Sequence, residues 1–266
     1  MKTYVSQFTF LFFVSLFLTG CDLEDPEPST NATPIFLKKI STSQGDSREF
    51  QYSATGWLTR VVGAGQLALN ENPQSTSEVV YDNVGRISYL LTDGPILDTE
   101  NAYYYTANNQ LYKLDELIND KVESYHTFEY DVAGRLATRF SFYKDAGSTV
   151  PRETNKVTYT YDATGNVNEM AMYRKATATS AWELVQTSKY ENYDTKKGVQ
   201  HLGDFLFTPT IVLFRNNPGK VTTTLANGEQ RVTNFTYEYN AQNLPVKKTT
   251  SPVSGPPFQT EYTYVM

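Results

Sequence analysis

The chain has 266 residues, a net charge of −6, one cysteine, two histidines and 14% aromatic residues, among them 20 Tyr and 15 Phe. A single cysteine excludes a disulfide framework and Cys-ligated zinc. The acidic balance, without any basic cluster, argues against nucleic acid, whose phosphates must be neutralised, and against a polybasic contact with lipid headgroups.

The chain opens with Met1 and Lys2, followed by the apolar run FTFLFFVSLFL at 8 to 18, which ends at Leu18-Thr19-Gly20-Cys21. A charged start, a short apolar core and small residues at its end describe an export signal. The run is shorter than the roughly 20 apolar residues a spanning helix needs. LTGC is similar to the lipobox of bacterial lipoproteins, which implies residues 1–20 as signal peptide and Cys21 as the site of lipid attachment. Several acyl chains, a palmitate among them, would then anchor the chain at about 0.8 kcal/mol per buried methylene. An ordinary secretory signal with an incidental thiol is the alternative.

Residues 21–34 begin the acidic stretch DLEDPEPSTNATP, which is rich in Pro, Ser and Thr and reads as an extended tether unable to bury a core. The acidic residues after Cys21 resemble the signal that carries Bacteroidetes-type lipoproteins to the outer face of the outer membrane. Asp22 is also similar to an inner-membrane retention signal of other bacteria, and a plain solvated linker is the bland reading.

Residues 35–266 form one expected domain built on a repeat. Tyr52, Tyr81, Tyr105, Tyr130, Tyr161 and Tyr239 are each followed four places on by Gly or Asn: Gly56, Gly85, Asn109, Gly134, Gly165 and Asn243. These residues accept a left-handed backbone cheaply. One place after each tyrosine stands a short polar residue, including Asp82, Asp131 and Asp162, able to bond the amide two residues later. Six places on stands an apolar residue, with Pro245 the exception. This pattern predicts a type I turn and a left-handed residue joining two strands. Before each tyrosine the rings alternate with Thr, Gln and Glu, as in Phe128/Tyr130 or Phe235/Tyr237/Tyr239, so the rings share one buried face. Tyr193-Asp194 looks like a stretched further copy. The expected fold is all-β, an antiparallel up-and-down meander of about a dozen strands or slightly more, curled into an open or closed barrel-like sheet.

YDNVGRI, YDVAGRL and YDATGNV resemble the YD (Rhs-type) repeat, whose larger members wind hairpins into hollow shells. With YDTKKGVQHLGDF at 193 to 205 and FRNNPGKVT at 214 to 222, residues 35 to 266 are similar to Bacteroidetes lipoproteins of unknown function with a porin-like β-fold. The resemblance implies a shape and a compartment, the outer membrane, and no known activity. An apolar insertion is expected near 199–220. Its GDFLFTPTIVLF, at 203 to 214, lacks alternation and contains Pro209, which suits a plug against the aromatic face better than a strand.

A membrane-spanning barrel would also alternate, but short strands, frequent turns and a mean hydropathy of −0.46 oppose it. For catalysis the inventory is poor. Of the two histidines, His126 lies in an alternating strand pattern and His201 could pair with Asp204. Asp120, Glu123, Glu129 and Asp145 could serve a glycosidase only if two stood ångströms apart. No phosphate loop, nucleophile elbow or metal signature is present, and no cofactor is implied. The expectation is a lipid-anchored envelope protein with a non-catalytic structural or binding role, its partner a glycan or a surface protein. The alternative is an envelope glycan hydrolase. Trp57 and Trp182 stand outside the ring register and are the candidate ligand contacts.

Overall fold

The structure, a computed structural model, describes residues 35–70, 72–145, 147–198 and 206–265. Cys21, the tether, His201 and Asp204 lie outside the described residues. The strands are β1 (Phe36–Thr42), β2 (Ser47–Tyr52), β3 (Leu58–Ala64), β4 (Gln74–Tyr81), β5 (Ile87–Asp93), β6 (Thr99–Tyr105), β7 (Leu111–Ile118) and β8 (Lys121–Tyr130). They continue as β9 (Leu136–Tyr143), β10 (Arg152–Tyr161), β11 (Val167–Arg174), β12 (Glu183–Glu191), β13 (Lys220–Leu225), β14 (Gln230–Tyr239), β15 (Pro245–Pro252) and β16 (Phe258–Val265). Neighbours in sequence pair antiparallel, and β1 pairs β16, so the sixteen described strands close into a barrel. The all-β meander of a dozen strands or more is as expected, with sixteen described strands, and closure settles the open-or-closed alternative.

The YD turns are near-identical in geometry. In all six aligned copies the amide after the tyrosine donates to the carbonyl four residues further on, at 2.8 to 2.9 Å, as in Asp82 to Arg86 and Asp131 to Arg135. The Asp82 Oδ1 accepts from the amides of Val84 and Arg86, Asp131 from Ala133 and Arg135, and Asp162 from Thr164 and Asn166. The amide two residues on was expected; the second one was not. Gly85, Gly134 and Gly165 have φ of +86°, +76° and +85°. At Gly85 a Cβ would also lie 2.7 Å from the Trp57 ring, so glycine serves both backbone and packing there. Each turn is preceded by a bulge that sets the tyrosine opposite the residue six places on, as in Tyr81 with Ile87 and Tyr130 with Leu136. Pro245 occupies this position too, buried opposite Tyr239, so it departs from the pattern in residue type and not in place.

The tyrosine hydroxyls explain why the motif begins with Tyr. Tyr81 donates to the carbonyl of Leu58, Tyr105 to Ile87, Tyr130 to Leu111, and Tyr161 to Leu136, at 2.6 to 2.9 Å. Each acceptor is the sixth residue of the preceding motif, so every hairpin is clamped to the one before it. Tyr193 continues the series to Val167, and Tyr237 reaches Pro218. The ends of the domain complete the ring: Tyr264 bonds Pro245, Tyr52 bonds Leu37, and Leu37 lies opposite Tyr264 in register. β16 and β1 therefore form an eighth hairpin whose turn is missing, and sequence-distant strands close the barrel with the same contact that joins its neighbours.

These hydroxyls are raised in pKa, chiefly by burial; Tyr52 and Tyr130 are pushed up to about 12 from 10.0. A group that keeps its proton more tightly when folded contributes its full stability below 10.0 and loses it as pH rises through the folded value. Thermal stability is therefore expected to hold up to pH 10 and fall steeply from there towards 12. Thermal melts followed by circular dichroism across that range check it, and a flat profile contradicts the clamp.

By register, Phe50, Val79, Leu114, Phe128, Tyr159 and Tyr262 point inward and are buried. The opposite, outward row carries ion pairs such as Lys39–Glu49 at 2.7 Å and Lys247–Glu238 at 2.8 Å, along with Thr222, Thr224, Thr236 and Thr249, and over β5–β9 also the rings of Tyr89, Tyr104, Tyr125 and Phe142. About eight strands make a barrel that side chains can fill, whereas sixteen leave a lumen. Something besides the wall must occupy the interior.

Candidate binding cavity inside the barrel

The filler is the apolar insertion, and its origin is a modified turn. Asp194, after Tyr193, receives at Oδ1 the amide of Lys196, as Asp82, Asp131, Asp162 and Asn240 receive the amide two residues on, and then the amide of Asn217. The amide of Asp194 donates to the Asn217 carbonyl at 3.0 Å. Asn217 thus stands where the other copies have the fifth residue, and Pro218 where they have the sixth. The segment between them is an insertion within the turn, and its described residues 206 to 216 reach the core of the barrel. Among its described residues Leu206 and Ile211 join the core, with Phe207, Leu213 and Phe214 packed against it.

The plug is fixed on both sides of the barrel. The Leu213 carbonyl accepts the Val167 amide, Asn166 and Asn216 exchange two hydrogen bonds, and Phe214 meets Tyr190 edge-on at 4.9 Å. Across the lumen Tyr103 donates to the Leu206 carbonyl, while Phe207 lies 5.2 Å from the His126 ring. His126 is buried; its Nδ1 is 2.8 Å from Ser141 Oγ and its Nε2 is 3.5 Å from Glu116 Oε1. Ser124 also donates to Glu116. Burial works to raise the Glu116 carboxyl, but His126 and Ser124 beside it, with the Arg139 charge, hold it below the ordinary carboxylate range. The group braces the plug from below, since Phe207 covers the imidazole.

Beside the plug, towards β13–β16 and β1, a cavity of about 390 Å³ remains. Phe214, Phe235, Phe258, Leu67 and Ile40 give it apolar walls, and Lys248, Thr260, Asn216 and Asn217 give it polar groups. It runs from Tyr237, clamped to Pro218 under the plug, to Phe258 and Leu67 at the end of the barrel away from the YD turns. Sequence reading missed it because its lining comes from both ends of the domain and from the insertion.

The other sequence candidates fall elsewhere. Trp57 is 46% exposed yet stands edge-on to Tyr81 at 4.7 Å and covers Gly85. It fills the slot that Arg86 and Arg135 fill in later copies, where the guanidinium sits over the next tyrosine, Tyr105 or Tyr161. Trp182 lies against the outer wall, with Lys156 and Lys175 at 5.0 and 4.6 Å from its ring. Asp120 is in the β7–β8 turn, Glu129 is exposed, and Glu123 and Asp145 pair with Lys144 and Arg152. None of these four joins Glu116 across the lumen. Asp82 and Asp131 are held below the usual carboxylate range mainly by backbone amides, as suits a turn. Among the described residues no cluster could hold a metal ion.

Closure, strand count and meander order define a porin-like β-barrel fold. No family matches the sequence, and no curated protein does. Among solved structures, a porin-like protein from Bacteroides uniformis is similar, with a TM-score of 0.53 and 14% identity over 87% of this chain and 95% of that one. A second porin-like protein, from Bacteroides vulgatus, gives a TM-score of 0.49 and 13% identity over 86% of this chain and 99% of that one.

Proposed function

We propose that this chain is a lipid-anchored barrel of the bacterial outer membrane whose wall faces water, with a non-catalytic structural or binding role. The observation that carries this reading is the polarity of the wall. A lipid-facing barrel needs an apolar band outside and tolerates charges there at about 2–4 kcal/mol each near the midplane. Here the core lies inside and ion pairs such as Lys39–Glu49 and Lys247–Glu238 stand outside. The strands have 6 to 10 residues, whereas spanning strands need about 9–11. Such a barrel has no hold on a membrane of its own, and an acylated Cys21 supplies one. A glycan or surface protein would meet the outer wall, where Trp182 stands with its two lysines.

The test is metabolic labelling with a radioactive fatty acid. The full chain is expected to take up label and to sediment with membranes, and Cys21→Ser to lose the label and appear in the soluble fraction. Label retained by Cys21→Ser defeats the anchor. The hydrolase alternative requires turnover of a glycan that one carboxylate substitution, Glu116→Gln first, abolishes.

A further inference from the structure

We infer that the outer wall across β6–β11 binds the uronate residues of an acidic polysaccharide, which rests on the reading that this wall faces water and names the ligand class for it. Three observations carry this. Tyr104, Lys113, Thr127, Phe140, Lys156 and Tyr173 stand in register, one per strand, so rings are interleaved with ammonium and hydroxyl groups along a line that crosses the strands. The buried centre of a protein interface is depleted of lysine. Flat rings set between hydrogen-bonding groups suit a sugar instead, whose C–H face lies on a ring while its hydroxyls meet the groups beside it. At one end of the row the Lys156 Nζ is 4.5 Å from the Tyr173 ring centroid and 5.0 Å from that of Trp182, and the Lys175 Nζ is 4.6 Å from the same Trp182 ring. One carboxylate answers these two ammonium groups: Glu153 pairs with Lys175 at 2.6 Å, whereas Lys156 has no carboxylate partner among the described residues. The spot is therefore positive on a chain of net charge −6, and a ligand carboxylate beside those rings is partly screened from water, where an ion pair counts for more. At the other end, three strands away and so about 14 Å by the spacing of a sheet, Tyr104 and Lys113 repeat the pair of ring and ammonium at 5.4 Å. There Asp115 balances the charge, its Oδ1 2.7 Å from Lys113, so that end takes a sugar's hydroxyls and the acid group belongs at Lys156.

One carboxylate accordingly lies on Lys156, its sugar against Tyr173 and Trp182, both half-buried, and the glycan runs across the strands towards Tyr104. A neutral glycan leaves Lys156 without its anion, and an anion that is no sugar leaves the rings unused. The inference does not depend on Cys21 being acylated.

Calorimetric titration of the full chain carrying Cys21→Ser, in detergent-free buffer, tests it with trigalacturonate, trimannuronate, galacturonate, the trimethyl ester of trigalacturonate, and citrate. At least one acid trimer is expected to bind saturably, and the monomer, the neutral ester and citrate each at least tenfold more weakly. Trp182→Ala and Lys156→Gln should each weaken the bound trimer at least tenfold, while Lys156→Arg keeps most of the affinity and Lys247→Gln, on β15, changes nothing. No saturable binding of either acid trimer, an ester or citrate that binds as tightly as the trimer, or a Lys156→Gln protein that binds as well as the parent each overturns the inference. Should Trp182→Ala fail to fold, Lys156→Gln, whose side chain lies outside the barrel, decides. Protein that stays in solution only with detergent contradicts the water-facing wall, and the inference falls with it; soluble protein that binds neither trimer leaves that wall standing and overturns the inference alone.

Discussion

Replacing Tyr105, Tyr130 and Tyr161 together by Phe is expected to lower the unfolding free energy by about 3 kcal/mol or more. Phe keeps the ring and its packing, so the loss is confined to the hydroxyls. Each substitution leaves a carbonyl, of Ile87, Leu111 or Leu136, without its donor at the rim of the core. An orphaned buried acceptor costs about 1–3 kcal/mol, against about 0.5–1.5 for an average hydrogen bond. At roughly 2–4 °C per kcal/mol for a domain of this size, the triple variant should melt on the order of 10 °C lower. Its stability above pH 10 should also fall less steeply, because three of the raised hydroxyls are gone. Tyr89→Phe and Tyr112→Phe, on the outer wall, are the controls and should stay within about 0.5 kcal/mol. If the triple variant melts with the controls, the clamps are ornament and the motif needs another explanation.

Ile211→Asp is the second large effect. Ile211 is 8% exposed and belongs to the apolar core, where a carboxylate is taken out of water. An uncompensated buried charge costs about 3–5 kcal/mol. The reason reaches beyond one residue. A sixteen-stranded wall encloses more room than its side chains fill, so a plug driven out admits water to Tyr103, Phe128 and His126. Urea unfolding should show the loss, and amide exchange should quicken along β6–β9, where the plug rests through Tyr103 and His126. Unchanged exchange in those strands, with Ile211→Asp stable, would mean that the wall stands without its filling.

How much of this was legible in the residues follows from the range over which each signal acts. Asp131 and Gly134 announce their turn because the amides they serve are within four residues. The inward rings of β4, β8 and β10 announce their face because alternation is local. β13, reading KVTTTL, alternates nothing apolar, so strands of that kind carry no face signal of their own. The hydroxyl clamps join residues 15 to 26 apart, and only the register of whole hairpins brings them together, so a recurring Tyr could be read as a core ring and no more. The same holds for Trp57, which looked like an outlier until its slot was seen to be that of Arg86 and Arg135. The plug's apolar run was legible, but its place as an expansion of the Tyr193-Asp194 turn rests on Asn217, more than twenty residues away, completing that turn. The cavity had no linear signature, since Ile40, Lys248 and Phe214 meet only after the barrel closes.

The central claim is that the inward rings hold this barrel together from within, and that its outer wall, ion pairs and the outer rings Tyr89, Tyr112 and Trp182 together, faces water. Residues 34–266, produced in the cytoplasm without signal or Cys21, test it most directly by size-exclusion chromatography with light scattering in detergent-free buffer. The account predicts a monodisperse monomer with β-rich circular dichroism and a single cooperative melt. Protein that folds only in micelles, or a detergent belt bound around its wall, would contradict it.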